Sequence, residues 1–395
     1  MSFNMTAGDP ARHVQPIAQM VSNQYAGGEY VDEISRKYLS ECHYDWATTR
    51  LIWEGERLVH HWGVWGHPVR VGPVTLQAAG IGAVVTVEDR RKQGLMHQAA
   101  RASFDAMREN GYDVSILRGR HYAKFGYVRA WNYVTYRLKP DEIPSFEVQR
   151  PYEPLGPDRM DAINTSYNKH YAAFSGSVVR PSFPMLEAAD EMDAYGWFDN
   201  DGNLAGYVRA IPREDGATLQ CLEATGDPQQ GLGVLAALFG TGSYETLSFF
   251  TMPHQHPMLQ ILRRGACTIE DRYFYHSGWQ VRLVNLSSAL QKLRPTLEAR
   301  LQASTFADWQ GTLCLDAGSE SAVLEIDDGQ VQIAAGNRGT LTLNGGPAIA
   351  RFLIGSDEPE EIMQQAEITC SEQTAVLVSA LFPNLYPMMS HWDEY

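Results

Sequence analysis

The sequence predicts a mixed α+β fold in which an α/β-type unit occurs twice and is followed by a third segment of different character. Three observations favour this fold. Strand-forming residues over 81–87 give way to a basic turn and then to a helical pattern over 95–107. The same order recurs in weakened form between Thr218 and Phe239. From Ser277 onward, strands and helices follow one another without that plan.

The first domain is expected over residues 1–140, because residues 140–157 are rich in proline and acidic residues and are typical of a linker. A second domain is expected over 150–276 and a third over 277–395. The elements predicted before the basic turn are a helix over Val14–Tyr25, a hairpin over Leu51–Val59 that turns at Gly55, and strands over Trp62–Trp65 and Val69–Leu76.

The basic turn predicts an anion site. Ile81–Val87 is almost continuous in β-branched residues, as expected of a strand that is buried on both faces. The helix after the turn has one small or apolar face, formed by Leu95, Ala99, Ala102 and Ala106. The first amides of a helix lack intrahelical partners and its dipole is positive there, so a pyrophosphate fits at this point. Gly94 lets the ligand approach the backbone, and Arg91 and Lys92 add positive charge.

Composition and charge argue against several classes of protein. Apolar residues make up 44% of the chain, but no run approaches the ~18 residues of a membrane span. The N-terminus lacks the layout of a signal peptide, so we expect a cytoplasmic protein. The five cysteines form no C-x-x-C pair, which indicates reduced thiols. Since 32 Lys and Arg stand against 47 Asp and Glu, the net charge of −15 disfavours nucleic acid and suits a cationic substrate.

Two histidine pairs, His60-His61 and His254-x-His256, are the strongest candidates for a metal site. Neither has a third ligand at a spacing typical of zinc. We therefore expect that the protein binds no metal.

The second domain repeats the plan of the first without its basic residues. Residues 197–225 repeat the hairpin and the strand, and a helix is predicted from Val234. The spacing from strand to glycine is the same in both copies, Thr86 to Gly94 and Thr225 to Gly233. An aspartate and a proline, at 227 and 228, stand in place of the arginines. We expect this copy to bind pyrophosphate poorly.

The third domain has a different order of elements. A strand over Gln280–Leu286 precedes a helix with a stripe of leucines at 290, 293, 297 and 301. Four strands follow between residues 311 and 343, and helical patterns cover Pro347–Ile354, Glu360–Ile368 and Ala375–Phe382.

The strand Val84–Val87, the sequence Arg91-x-x-Gly94 and the helix after it resemble the acetyl-CoA-binding core of the GNAT acetyltransferases, whose pattern is Q/R-x-x-G-x-G/A. Met96 departs from the last small residue of that pattern. The strand Asp113–Leu117 and the segment Tyr122–Tyr127 resemble the fifth strand, short helix and Phe-Gly-Tyr turn of the same family.

The element order of the third domain resembles the sterol-carrier-protein fold. A GNAT domain, a degenerate GNAT-like domain and a sterol-carrier-like domain in this order resemble the Eis-type N-acetyltransferases. This resemblance implies acetyl-CoA as acyl donor, an amine acceptor such as an aminoglycoside or a lysine side chain, and a homo-oligomer, often a hexamer. It places donor contacts on Val84, Val85, Thr86, Arg91, Lys92, Gln93, Gly94, Leu95, Met96, His97, Tyr122 and Ala123.

The resemblance also implies the catalytic roles. Tyr127 is expected to act as general acid toward the leaving thiolate, and the C-terminal carboxylate of Tyr395 to return to the active site of the first domain as general base. An unpaired N–H of the Val84–Thr86 strand can polarise the thioester carbonyl. A substrate pocket is expected to include Glu29, Tyr30, Asp32, Glu33 and Glu394.

Other functions remain open at this stage. One is a catalytically inactive regulator that binds CoA or a lipid. Another is an acyltransferase with a different donor, because paired GNAT-like domains also occur in Fem-type peptidyl transferases and in myristoyltransferases. The net charge of −15 disfavours the tRNA that Fem-type enzymes need.

Overall fold

The computed structural model describes residues 2–143, 145–181, 193–274 and 277–394, which form two compact units. The described residues up to 131 and from 277 to 385 belong to the first unit. Those from 132 to 274 and from 386 to 394 belong to the second. Within the described ranges, no helix is both long and apolar enough to cross a membrane.

Eighteen described strands make up three sheets. They are β1 Phe3–Ala7, β2 Arg50–Glu54, β3 Arg57–Val71, β4 Val74–Thr86, β5 Val114–Arg118, β6 Val128–Arg129, β7 Tyr133–Leu138, β8 Glu153–Pro154, β9 Ala194–Phe198, β10 Leu204–Pro212, β11 Thr218–Ala224, β12 Thr246–Phe250, β13 Thr268–Arg272, β14 Trp279–Leu283, β15 Gly311–Asp316, β16 Ser321–Asp327, β17 Gln330–Ala335 and β18 Leu341–Asn344.

The described α-helices are α1 Pro10–Tyr25, α2 Val31–Glu33, α3 Leu95–Glu109, α4 Met160–His170, α5 Pro228–Thr241, α6 Pro257–Leu262, α7 Leu286–Gln302, α8 Ile349–Ile354, α9 Pro359–Gln365 and α10 Glu372–Leu381. A π-helix, Ile34–Ser40, continues α2, and a short 3₁₀ helix, Ala123–Phe125, follows β5. The mixed α+β fold class is therefore confirmed.

The first unit contains a seven-stranded sheet in the order β1-β2-β3-β4-β5-β14-β6. Strands β4 and β5 are parallel, while the other neighbouring pairs are antiparallel. Helix α3 connects the parallel pair and buries Leu95, Ala99 and Met107 against Trp62 and Ile81. The apolar face predicted from the helical spacing thus packs on the sheet.

The second unit repeats this sheet in the order β8-β9-β10-β11-β12-β7-β13. Its parallel pair is β11 and β12, and α5 connects them as α3 connects β4 and β5. The sixth strand of each sheet is out of sequence order. In the first sheet it is β14, which follows β13 of the second sheet along the chain, and in the second sheet it is β7, which follows β6 of the first. Strand β7, which the boundaries from sequence place in the first domain, lies in the second sheet, and β14, placed in the third domain, lies in the first. Sequence periodicity cannot reveal such long-range pairing, because it shows which face of a strand is buried and not which other strand lies beside it.

The third segment folds within the first unit. Its four strands form a sheet in the order β17-β16-β15-β18, against which α7 packs. Leu290, Leu293, Leu297 and Leu301 on α7 are all buried, as the leucine stripe predicted.

The position of one turn and the start of one helix correct two predictions made from the sequence. The segment Val69–Leu76 is not one strand, because the chain reverses at Gly72, whose φ is +57°, and β3 continues unbroken through Pro68. In the second unit the helix begins at Pro228 and not at Val234, because the side chain of Asp227 accepts the N–H of Gln230 at 2.8 Å as an N-cap. Gly233 lies inside that helix, where a Cβ would be 2.9 Å from the carbonyl oxygen of Glu147.

A buried ion-paired cluster holds the C-terminal tail in the second unit. Arg180 lies 3.1 Å from Asp393 and 2.5 Å from Glu223, and all three side chains are almost fully buried. The hydroxyl of Ser390 also donates to Glu223, at 2.5 Å. Burial alone would raise the pKa of Glu223, but the guanidinium of Arg180 outweighs it and holds the pKa below its ordinary value. The tail is therefore fixed as far as residue 393.

We expect Arg180→Met to destabilise the second unit by about 3–5 kcal/mol, because two buried carboxylates would lose their shared cation. Differential scanning calorimetry checks this as a lower transition temperature. The matched control is Arg159→Met, since Arg159 is exposed and lies 3.6 Å from the still more exposed Asp158. An unchanged transition in Arg180→Met would show that the cluster contributes little.

Strand β3 buries three histidines, His60, His61 and His67. Burial lowers their pKa values to about 3, 4 and 3 respectively, from 6.5. The folded protein therefore keeps the three rings neutral at pH values where the unfolded chain protonates them.

Stability should consequently fall as the pH drops from about 6.5 toward 4. The unfolded state binds more protons than the folded state in this window, at a cost of about 1.4 kcal/mol per histidine and per pH unit. Denaturant titrations at pH 7, 6 and 5 measure the slope. His67→Gln should reduce the slope, whereas His97→Gln, at an exposed position, should not. Equal slopes in all three proteins would contradict this account.

Candidate functional site

Strand β4 runs five residues beyond its last pair with β5, and we call the edge that this leaves without a strand partner the cleft. Their register runs from Ala78–Val114 to Ile81–Leu117, and β4 then continues to Thr86 with pairing to β3 alone. Val84 and Thr86 are half-buried and Val85 is buried at this edge. The backbone of residues 82–86 thus offers the side that faces away from β3 to a ligand.

The separation of the two strands is built around a bulge at Ala83, which has a φ of +46°. The register between β3 and β4 shifts between His61 and Gly63. Nδ1 of His61 donates to the carbonyl of Ala83 at 2.7 Å, and the hydroxyl of Tyr44 donates to Nε2 of His61 at 2.7 Å. A carbonyl can only accept, so Nδ1 carries the proton. This chain of hydrogen bonds fixes the bulge.

The basic turn, the candidate anion site, follows directly after β4. Gly94 is the N-cap of α3 with a φ of +78°, and no side chain caps the helix. Lys92, two residues earlier, also has a positive φ, +63°. Left-handed residues in a turn direct backbone N–H groups toward one side, an arrangement that occurs in anion-binding turns. A Cβ at Gly94 would meet nothing within 4 Å, so the approach to this residue is open.

The basic side chains of the turn divide into two roles. Arg90 is held by Glu54 at 2.9 Å and Asp89 at 3.0 Å, which secures the turn to β2. Arg91 and Lys92 are exposed and have no acidic partner among the described residues. These two cations remain available for an anionic ligand. Gln93 and His97 are exposed beside them, and Leu95 and Met96 begin the packed face of α3.

Two tyrosines lie near the cleft in different environments. Tyr127 is 2% exposed and its hydroxyl donates to Ser115 Oγ at 2.6 Å, because Ser115 in turn donates to the carbonyl of Ala79. Burial raises the pKa of Tyr127. Tyr122 is half-buried, and burial raises its pKa to about 12. Among the described residues, the Tyr122 hydroxyl has no hydrogen-bond partner. Ala123 follows it at an exposed position.

The residues expected for the acceptor pocket are not all equivalent. Glu29, Tyr30 and Asp32 are exposed, in the segment that follows α1. Glu33 is paired with Lys37 at 2.9 Å. Glu394 belongs to the tail in the second unit, where its carboxylate lies 3.5 Å from His391. Tyr395, expected to supply the general base, lies outside the described residues.

The histidine pairs have other partners. His60 Nδ1 lies 2.7 Å from the hydroxyl of Thr86, and His61 holds the bulge. His254 Nδ1 lies 2.8 Å from the Tyr136 hydroxyl, and His256 Nε2 lies 3.1 Å from Nε2 of His170. Within the described part of the chain, no three His, Cys, Asp or Glu side chains form a group that could hold a metal ion.

Sequence reasoning missed His61, Tyr44 and Ser115. Their importance follows from the register of β3 against β4 and of β4 against β5, and no local pattern signals it. The alternation of side chains along a strand could have indicated that His60 and His61 lie on opposite faces of the sheet.

Comparisons with known proteins agree on the first domain. The model of the acetyltransferase (GNAT) domain matches residues 13–130. The sequence has no significant match among proteins of curated function.

Several solved structures share the fold over the whole chain. A conserved protein of Enterococcus faecalis, described as a probable N-acyltransferase, has 16% identity and a TM-score of 0.78. A GCN5-related N-acetyltransferase of Anabaena variabilis has 15% identity and a TM-score of 0.77, and Eis1 of Mycobacterium abscessus has 16% and 0.69. Each comparison covers 100% of both chains. At identities this low, the structural similarity shows a common fold alone. Residues 13–130 therefore match an acetyltransferase (GNAT) domain, in a chain whose complete fold these structures share.

Proposed function

We propose that the protein is an N-acetyltransferase that moves the acetyl group of acetyl-CoA to a primary amine of a cationic small molecule or a lysine side chain. The observation that carries the proposal is the continuity of the cleft beyond Ile81–Leu117 with the anion site at Arg91–Met96. A nucleotide-linked thioester needs both features, the anion site for its pyrophosphate and the cleft for its acyl arm. The GNAT match supports acyl transfer and a CoA donor in general.

The proposed reaction is direct aminolysis. The neutral amine attacks the thioester carbonyl carbon, and a backbone N–H of β4 near Val84 stabilises the negative charge that develops on the oxygen. The C–S bond then breaks, the thiolate takes a proton from a general acid, and the new ammonium group loses its proton to a base. The acidic charge of the chain, −15, favours a cationic acceptor.

The general acid is one of two tyrosines. The family resemblance points to Tyr127, whose side chain is buried and whose hydroxyl donates a hydrogen bond to Ser115. Tyr122 is more exposed, and its hydroxyl is not engaged with another described residue. A general acid must reach the thiolate in the complex with the donor, so Tyr127 stays the proposed acid and Tyr122 is the second candidate.

The base proposed from the resemblance is the C-terminal carboxylate of Tyr395. The buried pair of Arg180 and Asp393 fixes the chain two residues before this carboxylate. Glu29, Asp32 and Glu394 are proposed to contribute negative charge for the acceptor.

The test of function is release of CoA thiol from acetyl-CoA by N-terminally tagged protein. We expect turnover with at least one amine from a panel of polyamines, aminoglycosides and lysine peptides. Tyr127→Phe should lower kcat about 10²–10⁴-fold with little change in donor affinity, and Tyr122→Phe should lower it less. The reverse order would identify Tyr122 as the acid. Binding of CoA without turnover across the panel would favour the alternative of a regulator or of another acyl donor.

A C-terminal extension of a few residues should abolish most of the activity, because it replaces the Tyr395 carboxylate with a peptide bond. The same extension on the N-terminus is the control. Steady-state rates with the best amine of the panel measure the effect. Full activity of the C-terminally extended protein would place the base elsewhere.

A further inference from the structure

A second cationic pocket lies in the first unit, on the flank of α3. It has a volume of about 450 Å³ and is shared by α3, the turn after β5, strand β14 and a loop of the third segment. Its polar lining comprises His97, Arg101, Lys124, Arg282 and Ser319. Neither an aspartate nor a glutamate occurs among its described lining residues. In a chain of net charge −15, such a concentration of cations indicates an anionic ligand.

The cations of this pocket are not neutralised by the protein. Arg101 and Lys124 are exposed and have no acidic partner among the described residues. Two acidic groups, Glu320 and Asp105, act electrostatically on Arg282 without forming an ion pair with it. Glu320 is already engaged, because it pairs with Arg108 at 3.2 Å and accepts the N–H of Leu286 at 2.9 Å.

Arg282 is held so that part of its guanidinium stays unsatisfied. Its Nη1 donates to the carbonyl of Phe125 at 2.6 Å, and its plane lies 4.2 Å from the centre of the Phe104 ring. Its Nε is buried without a hydrogen-bond partner. A buried donor of this kind is costly unless a ligand or water satisfies it.

The position of the pocket relates it to the anion site of the turn. His97 lies at the third position of α3, beside the N–H groups at Gly94, and Arg101 lies one turn further along, about 6 Å away. Coenzyme A carries a third phosphate, a phosphomonoester on the 3′ hydroxyl of the ribose next to its pyrophosphate. A pyrophosphate at the turn would leave that ribose within reach of the flank of α3.

We propose that this pocket binds the 3′-phosphate of the CoA donor, and that the loop Ala317–Ser319 and Arg282 bring the C-terminal segment into donor recognition. Arg101 and Lys124 supply the charge-assisted contacts. Ser319 supplies a hydroxyl that has no partner among the described residues. The proposal rests on the proposed donor, acetyl-CoA, and adds a role for the third segment that the GNAT match, which ends at residue 130, does not include.

The test compares CoA with 3′-dephospho-CoA, which differs only in this phosphate, by isothermal titration calorimetry of the full chain. Wild-type protein should bind 3′-dephospho-CoA about 10- to 100-fold more weakly than CoA. Arg101→Ala and Lys124→Ala should weaken CoA binding and leave 3′-dephospho-CoA binding unchanged. Arg91→Ala, at the pyrophosphate site, is the matched control and should weaken both ligands equally.

The role of the third segment is tested separately with Ser319→Asp. This loop position is exposed, so the fold should tolerate the change. A carboxylate there should repel the 3′-phosphate and weaken CoA binding about 10-fold more than 3′-dephospho-CoA binding.

The outcomes separate this proposal from the one on which it rests. Equal affinity of wild-type protein for the two ligands, or equal losses for both in Lys124→Ala, would overturn the 3′-phosphate site while leaving the CoA donor in place. Failure to bind either ligand would overturn the donor itself, and the pocket's assignment with it.

Discussion

The pairing of β14 between β5 and β6 is the constraint on which the candidate site depends. Strand β5 pairs with β4 over only four residue pairs. On its other side β14 pairs with the whole of β5, from Val114 to Arg118, in antiparallel orientation and holds it in place. Because β5 is anchored on that side, β4 can diverge at Ile81 and leave a cleft without losing the sheet. The same strand presents Arg282, which binds the carbonyl of Phe125 in the turn beside the cleft. A strand from beyond the segment that matches the GNAT model thus completes the first sheet.

The two copies of the fold show how little must change to close an anion site. In the first unit, α3 starts after Gly94 with no side-chain cap, and cations without acidic partners flank this start. In the second, the Asp227 carboxylate accepts one amide of the helix start, that of Gln230, and the Gln230 side chain accepts two further backbone N–H groups, those of Gln149 and Arg150. A carboxylate provided by the chain satisfies the helix start and excludes a phosphate by charge. The duplicated topology therefore has a capped helix start in one copy and an uncapped one, the proposed ligand site, in the other.

Charge is distributed according to burial in this acidic chain. Where cations are buried, as at Arg180, carboxylates neutralise them, and where histidines are buried, as in β3, they stay neutral. Four exposed cations without acidic partners among the described residues, Arg91, Lys92, Arg101 and Lys124, lie at the start of α3, on its flank or in the turn beside it. Uncompensated charge on an otherwise acidic surface attracts anions, and the proposed phosphate contacts of the donor therefore fall on these four residues.

The sequence alone determined the fold class, the two strand-turn-helix copies, the basic turn at Arg91–Gly94 and the leucine stripe of α7, because periodicity, glycine and charge act locally. It could not determine the exchange of β7 and β14, the bulge that His61 holds at Ala83, or the environments of Tyr122 and Tyr127, which are five residues apart in one turn. These features depend on which strands become neighbours and in what register. Register is set by the packing of distant segments against one another, so only the tertiary structure decides it.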